Sequence, residues 1–229
     1  MFAYPVSLEL AGRHVVVVGR DAVALGKSEA LLEGGADDVL VVSDGPRLHL
    51  ERLETDARVR VERRAFSPED LDGAFLLVAS APTQDERDAI SGAARARGVL
   101  VNVIDDVANC DFSAPAIVRR GDLVLAIATG GASPALARRL REDLAERFGA
   151  HWAELVDVLR EVRNETLPHL PDIAERSRRW QFALDVAEAE ELIATGRRRE
   201  LRELLLTRLV GVPRPARDAF RLPGARERA

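Results

Sequence analysis

Apolar positions in the first hundred residues fall into short unbroken runs, separated by longer segments of helical spacing. Residues 15–18 are four consecutive valines, apolar on both faces of a strand, which predicts a buried parallel strand rather than a half-exposed one. An alanine-rich segment, 22–33, follows at once and is closed by Gly34-Gly35, so it reads as a helix with a glycine C-cap. The alternation continues with a strand at 39–42, a short helix at 48–57 and a strand at 59–62. Ser67-Pro68-Glu69-Asp70 then opens a helical turn, with serine as cap, proline in the first position and acids facing the dipole. A strand at 75–79, a helix at 85–97 ending on Gly98 and a strand at 99–104 complete the series. Such an order predicts a parallel sheet with helices on both faces and right-handed crossovers.

The pattern changes after Asp106. Residues 107–114 read as an irregular loop, and 117–119 and 123–128 as two strands joined by Arg120-Gly121-Asp122. A hairpin alone is marginal and needs a partner surface, for which a second copy of the chain is a natural candidate. Thr129-Gly130-Gly131-Ala132-Ser133-Pro134 leads into a helix from 135 to 148, with Ser133 as its cap. From His151 onward the spacing is helical. Trp152, Leu155, Val156, Leu159 and Val162 mark one face of a helix over 152–166 that Pro168 and Pro171 stop. Helices at 172–184, 187–193 and 198–209 follow, and the proline- and arginine-rich stretch 211–229 reads as a disordered tail.

Composition narrows the picture further. At 229 residues the chain holds one large domain or two small ones, and 47% hydrophobic residues suffice for packed cores. A net charge of -5 argues against nucleic acid as partner. One cysteine, Cys110, excludes an internal disulfide framework and a cysteine-rich metal site, and fits a reducing cytoplasm. The first ten residues lack the features of a signal peptide, and no apolar run approaches the ~20 residues a bilayer requires. His14, His49, His151 and His169 lack metal-ligand spacing, and there is no nucleophile elbow to support a hydrolase. No metal site is expected.

The candidate chemistry lies at the predicted strands' carboxyl ends, where ligands of open parallel sheets collect. Gly19, Ser43-Asp44, Ala79-Ser80-Ala81 and the 102–106 segment all fall there and are expected to share one crevice. Gly19, Asp21, Ala22 and Val23 form a strand–turn–helix opening of the dinucleotide-binding kind, in which a helix N-terminus faces a pyrophosphate. Gly19 and Ala24 keep the first and third positions of Gly-x-Gly-x-x-Ala, but Asp21 replaces the middle glycine. A side chain there obstructs the pyrophosphate, and like charges ~4 Å apart repel by roughly 4 kcal/mol at an effective dielectric near 20. Rotation away, or pairing with Arg20, would lessen that cost. Asp44 lies about where an acid would bind the adenosine ribose, and reads equally well as part of a plain Asp-Gly turn.

Several strings together resemble the siroheme synthase N-terminal family of precorrin-2 dehydrogenases, some of which also insert iron into sirohydrochlorin. They are Val17-Val18-Gly19 through Val23-Ala24-Leu25-Gly26-Lys27, Phe66-Ser67-Pro68-Glu69-Asp70-Leu71-Asp72-Gly73, and Val101-Asn102-Val103-Ile104-Asp105-Asp106. Cys110-Asp111-Phe112 with Pro115-Ala116-Ile117-Val118, and the run from Arg119 through Thr129-Gly130-Gly131-Ala132-Ser133-Pro134 to Leu140, complete the match, which covers about residues 2–210. The resemblance implies an NAD-binding Rossmann-like domain (1–113), a dimerisation segment (114–149) and a small all-helical domain (150–210). It implies a cytoplasmic homodimer that oxidises precorrin-2 to sirohydrochlorin with NAD, with no nucleic-acid or membrane partner.

The family match places the essential aspartate at Asp105, where a carboxylate could take a proton from the macrocycle as hydride leaves. A loop- or helix-capping aspartate is the plainer reading of the same residue, and Asp106 is its close neighbour. Cofactor contacts are expected from Gly19, Asp21, Ala22, Val23, Ser43, Asp44, Ala79, Ser80 and Asn102. Substrate contacts are expected from Thr129, Gly130, Gly131 and Ser133, where free N–H groups and hydroxyls at a helix start suit the carboxylates of a tetrapyrrole. Arg119, Arg120, Arg138 and Arg139 could add positive charge there, or be solvated surface groups. A second expectation follows from Asp21: a tetrapyrrole-binding relative with a lost or weak NAD site, acting as sirohydrochlorin chelatase or carrier.

Overall fold

In a computed structural model that describes residues 4–20, 22–46 and 50–211, the chain divides into two units, 1–114 and 115–229. Asp21, Leu48, His49 and the 212–229 tail lie outside the described residues.

The first unit is a five-stranded, wholly parallel sheet in the order β3-β2-β1-β4-β5. Its strands are β1 (His14–Val18), β2 (Asp38–Val42), β3 (Val59–Glu62), β4 (Leu76–Ala79) and β5 (Leu100–Val103). Helices α1 (Ala22–Glu33), α2 (Glu51–Glu54) and α3 (Gln84–Ala96) connect them. The unbroken valines of β1 reflect cover on both faces. Val15 and Val17 join Leu25, Leu32, Leu50 and Leu53 in one core, while Val16 and Val18 join Leu71, Ile90 and Ala94 in the other. Because α1 and α2 lie on one side and α3 on the other, the chain reverses direction at β1 and β4, which creates a crevice at their carboxyl ends.

One expected element is shortened. The helix over 48–57 is reduced to the single turn of α2, because Asp56 turns the chain back by accepting the Arg58 backbone N–H at 3.0 Å. The expected turn at Ser67 forms as a 3-10 turn, Pro68–Leu71. There the Asp70 carboxylate accepts the Ser67 backbone N–H at 2.8 Å and a bidentate pair from Arg64.

Arg64 is the principal group holding the buried Asp70 carboxyl below the usual carboxylate range. A depressed acid contributes stability that is whole above the unfolded value of ~3.9 and is lost as pH falls through its lower folded value. Asp70→Asn should therefore melt below the parent at pH 7. That gap should narrow below about pH 4, which thermal melts across pH 2–7 would read.

The second unit begins with the expected hairpin, β6 (Ala116–Arg120) and β7 (Leu123–Ile127), closed over Gly121-Asp122. Its inner face rests on its own chain: Arg120 donates to the carbonyls of Phe148 and Ala145 at 2.7 and 2.9 Å, and Arg160 pairs with Asp122. Helices α4 (Pro134–Arg147), α5 (Trp152–Thr166), α6 (Ile173–Ala183), α7 (Val186–Ala194) and α8 (Arg198–Val210) follow. Leu155, Val158 and Val162 of α5 pack with Leu192, Ile193, Leu201, Leu205 and Leu209. α4 differs from all of these, since it buries no residue: Leu136 and Leu140 are 50% and 39% exposed. The outer face of the hairpin likewise exposes Ile117 and Val124.

Candidate active site

The crevice at the carboxyl edge of the sheet is an open cleft of about 190 Å³. Gly19 and Arg20 after β1, Ser43 and Asp44 after β2, and Ser80, Ala81 and Pro82 after β4 line it. Three of the four expected segments thus meet. The fourth place is taken by Arg64, Ala65 and Phe66 after β3, not by the 102–106 segment. β5 is the edge strand beyond β4, and its Asn102 turns its amide to the Phe112 carbonyl (2.8 Å) and the Cys110 sulfur (3.4 Å). Asn102 therefore anchors the 110–112 loop instead of lining the cleft. The sequence reading did not place Arg64 or Phe66 in the cleft, although their position shortly after a parallel strand was the available signal.

Each cleft residue is held by the backbone around it. Gly19 is buried at the end of β1 and donates to the Val42 carbonyl at 3.2 Å, and Ser80 donates its N–H to Val18 at 2.8 Å. Ala79 is fully buried under them. Ala22 and Val23 are the first residues of α1. Ser43 Oγ accepts the Gly45 N–H at 3.2 Å, so serine closes the turn and the Asp44 carboxylate is directed to Arg20 across the cleft mouth. Arg20 is thus engaged with Asp44. These features suit a dinucleotide: a buried glycine at the first turn, a helix start beyond it, and an acid at the end of β2.

Gly45 is fixed by a close approach. A Cβ there would lie 2.6 Å from the Arg20 carbonyl oxygen and 2.8 Å from its Cα. Because the obstacle is backbone, Gly45→Ala must displace the β2 loop or the β1 turn, at a cost of about 1–3 kcal/mol. The expected result is a lower melting temperature and weaker dinucleotide binding, measured by calorimetry.

Asp105 sits beyond the cleft lining, on the turn that follows β5. The Asp106 N–H bonds to the Val103 carbonyl at 3.2 Å, and Asp105 occupies the third place of that turn with φ of 61°. It is the one non-glycine residue with positive φ among the described residues. That region is open to aspartate at modest cost but is normally the province of glycine. Its side chain is exposed and has no hydrogen-bond or ion-pair partner among the described residues.

Asp106 is the opposite. Its carboxylate accepts from Gln84 (2.9 Å), Asn109 (2.9 Å) and Arg87 (3.2 Å), with hydrogen bonds from Asn109 foremost in holding it below the ordinary range. Asn109 also donates to Asp88, and its carbonyl accepts from the buried Ser91 hydroxyl. Arg87 continues to the Ala81 carbonyl at 2.9 Å. The Cys110 thiol lies 3.1 and 3.2 Å from the Val103 and Asp106 carbonyls, and burial pushes it above the usual thiol value. Cys110 is therefore a structural group that clamps the turn, with little thiolate character. The structural role weighed for Asp105 falls to Asp106, whose carboxylate ties the turn to the side chains of Gln84, Arg87 and Asn109, and this leaves Asp105 free on a rigid base.

The Thr129–Ser133 segment belongs to the second unit. Thr129 Oγ1 accepts the Ser133 N–H at 3.2 Å, and Ser133 Oγ caps α4 by accepting the Leu136 N–H at 3.1 Å. Gly130 and Gly131 both have positive φ and make no backbone hydrogen bond among the described residues. Arg120 is committed to backbone carbonyls, and Arg138 and Arg139 pair with Glu142 and Asp143. Of the four arginines considered, Arg119 alone has no such partner among the described residues. His14 and His151 face Asp38 and Glu190. Among the described residues, no three His, Cys, Asp or Glu side chains gather to hold a metal ion, and no helix is long and apolar enough to cross a membrane.

Comparison with known proteins converges on the same reading. Residues 6–116 match an NAD(P)-binding family model, and residues 120–147 match the model described as sirohaem biosynthesis protein central. Siroheme synthase 1 of Yersinia enterocolitica is 35% identical over 207 residues, covering 90% of this chain and 43% of that one. The chain belongs to the siroheme synthase N-terminal family. Siroheme synthase of Pseudomonas paraeruginosa is 34% identical over 209 residues, covering 90% of this chain and 44% of the relative. This family member therefore spans less than half the length of the curated relatives it matches. Among solved structures, SirC, a precorrin-2 dehydrogenase, superposes with a TM-score of 0.61 at 26% identity, over 89% of this chain and 98% of that one.

Proposed function

We propose that this chain is an NAD-dependent precorrin-2 dehydrogenase that oxidises precorrin-2 to sirohydrochlorin in siroheme biosynthesis. The observation that carries the reading is Asp105: a free carboxylate on a clamped, left-handed turn, on the same sheet edge as a dinucleotide cleft. The family and the likeness to a precorrin-2 dehydrogenase supply the substrate class.

The substrate loses two hydrogens, one as hydride and one as a proton. Bound NAD supplies the hydride acceptor. Gly19, Ala22, Val23, Ser43, Asp44, Ala79 and Ser80 shape its site, with Asp44 facing the ribose. Asp105 receives the proton, a task for which an exposed carboxylate without competing partners is suited. Thr129, Gly130, Gly131 and Ser133 receive carboxylates of the tetrapyrrole at the start of α4. The enzyme acts in the cytoplasm as a homodimer, with the uncovered leucines of α4 and the outer hairpin face forming the contact between copies.

Asp21 favours a second reading, in which the NAD site is weak and the chain is a sirohydrochlorin chelatase or carrier. Asp21→Gly separates the two. Restoring glycine should tighten NAD roughly tenfold or more, since 1.4 kcal/mol is a factor of ten and removal of the like charge exceeds that. The dehydrogenase reading requires that the parent itself bind NAD and turn over precorrin-2. If the parent binds no NAD at millimolar concentration while the glycine variant does, the second reading replaces it. Anaerobic incubation with precorrin-2, with and without NAD, followed by absorbance, supplies the turnover measurement.

A further inference from the structure

A second hollow, of about 450 Å³, lies wholly within the helical unit, bounded by the end of α5, the face of α6 and the start of α7. The dehydrogenase reading makes no use of it. Its volume is within the ~300–1,000 Å³ typical of small-molecule sites. The walls combine two chemistries. Ile173, Trp180 and Val186 give an apolar surface, and Arg163, Arg176 and Gln181 give hydrogen-bond donors. No Asp or Glu is among the lining residues.

The charge is not neutralised locally. Arg163 has no ion-pair or side-chain hydrogen-bond partner among the described residues, although nearly every neighbouring arginine of α5, α6 and α8 has a carboxylate. Arg176 spends one nitrogen on the Leu170 carbonyl at 2.9 Å and is held in place by it. The apolar wall is equally uncovered: Ile173 is 74% exposed and Val186 36%. Uncovered branched side chains beside two cations match a molecule with an apolar body and an anionic end. Guanidinium groups suit a planar carboxylate or a sulfonate best.

We propose that this hollow binds an amphipathic small anion, with its acidic group on Arg163 and Arg176 and its apolar body against Trp180 and Ile173. The site is distinct from the dinucleotide cleft, and its occupancy does not depend on the dehydrogenase reading.

The chain contains two tryptophans, so Trp152→Phe in the full-length protein leaves Trp180 as sole reporter. Titration with 8-anilinonaphthalene-1-sulfonate should quench Trp180 emission in a saturable, single-site manner. In that background Arg163→Gln should weaken the anion's apparent Kd about tenfold, and Arg163→Lys should recover part of the loss. N-phenyl-1-naphthylamine, an uncharged relative of the probe, should bind weakly and be indifferent to residue 163. Val6→Ser, an exposed apolar position in the first unit, controls for dye adsorbed elsewhere and should leave the titration unchanged. The proposal is overturned if Arg163→Gln, shown folded by circular dichroism, binds the sulfonate as tightly as its parent. Equal response of the charged and neutral probes, or loss of binding in Val6→Ser alone, overturns it too.

Discussion

If the proposed dehydrogenase reading holds, Asp105→Asn should leave a folded protein that oxidises precorrin-2 about a hundredfold or more slowly, within the ~10²–10⁴ range of a lost general base. Asparagine tolerates the left-handed backbone as aspartate does, so the turn at φ of 61° is kept and the melting temperature holds. Asp105→Ala should be equally inactive but less stable by about 1–2 kcal/mol, since alanine pays the full steric cost of that backbone. Asp105→Gly should recover the stability and none of the activity. Steady-state absorbance assays beside thermal melts separate the chemical role from the conformational one. Full activity in the asparagine variant would remove Asp105 from the mechanism.

Leu136→Asp combined with Leu140→Asp should convert the proposed dimer to monomer. Both leucines sit one turn apart on a helix that has no fully buried residue. In a two-fold interface each occurs twice, so the variant removes four buried leucines. At ~1.5 kcal/mol each, the low end for a buried leucine, the loss is about 6 kcal/mol, or roughly four decades in Kd. Sedimentation equilibrium reads this directly. The monomer should stay folded, because Leu155, Val158 and Leu205 of the helical core lie elsewhere. A parent that sediments as a monomer would refute the interface.

The sheet was legible wherever burial on both faces leaves a plain mark. Val15–Val18 could hardly be anything but a central strand, and α3 ends at Ala96 with Arg97 as its C-cap, directly before the Gly98 at which the sequence ends that helix. The two prolines of 166–185, Pro168 and Pro171, also translated well: α5 stops at Thr166, while the caps of α6 and α7, Asp172 and Asp185, are seen only in the structure. α2 was overextended, because helical spacing over 48–57 does not reveal that Asp56 competes for the backbone. On α5 Val158 is as fully buried as Val162, yet the chosen stripe of Trp152, Leu155, Val156, Leu159 and Val162 passed over it. Spacing fixed that face only to within one residue.

The site was legible as a set of strand ends and illegible as a set of partnerships. Choosing between Asp105 and Asp106 depends on which one α3 captures, and Gln84 and Arg87 lie 22 and 19 residues before Asp106. Likewise nothing local says that Arg20 is spent on Asp44, a pairing across 24 residues. Such contacts are products of the closed sheet and have no periodicity to betray them.

Arg87 carries an implication for how this edge of the molecule can change. It grips the Ala81 carbonyl on one side and the Asp106 carboxylate on the other, so the loops after β4 and β5 are bolted to a single guanidinium. Neither loop can be lengthened, swapped or retuned for another nucleotide without moving the footing of Asp105. An engineer altering cofactor preference here would have to redesign both loops as one component, with Arg87 kept as the hinge pin between them.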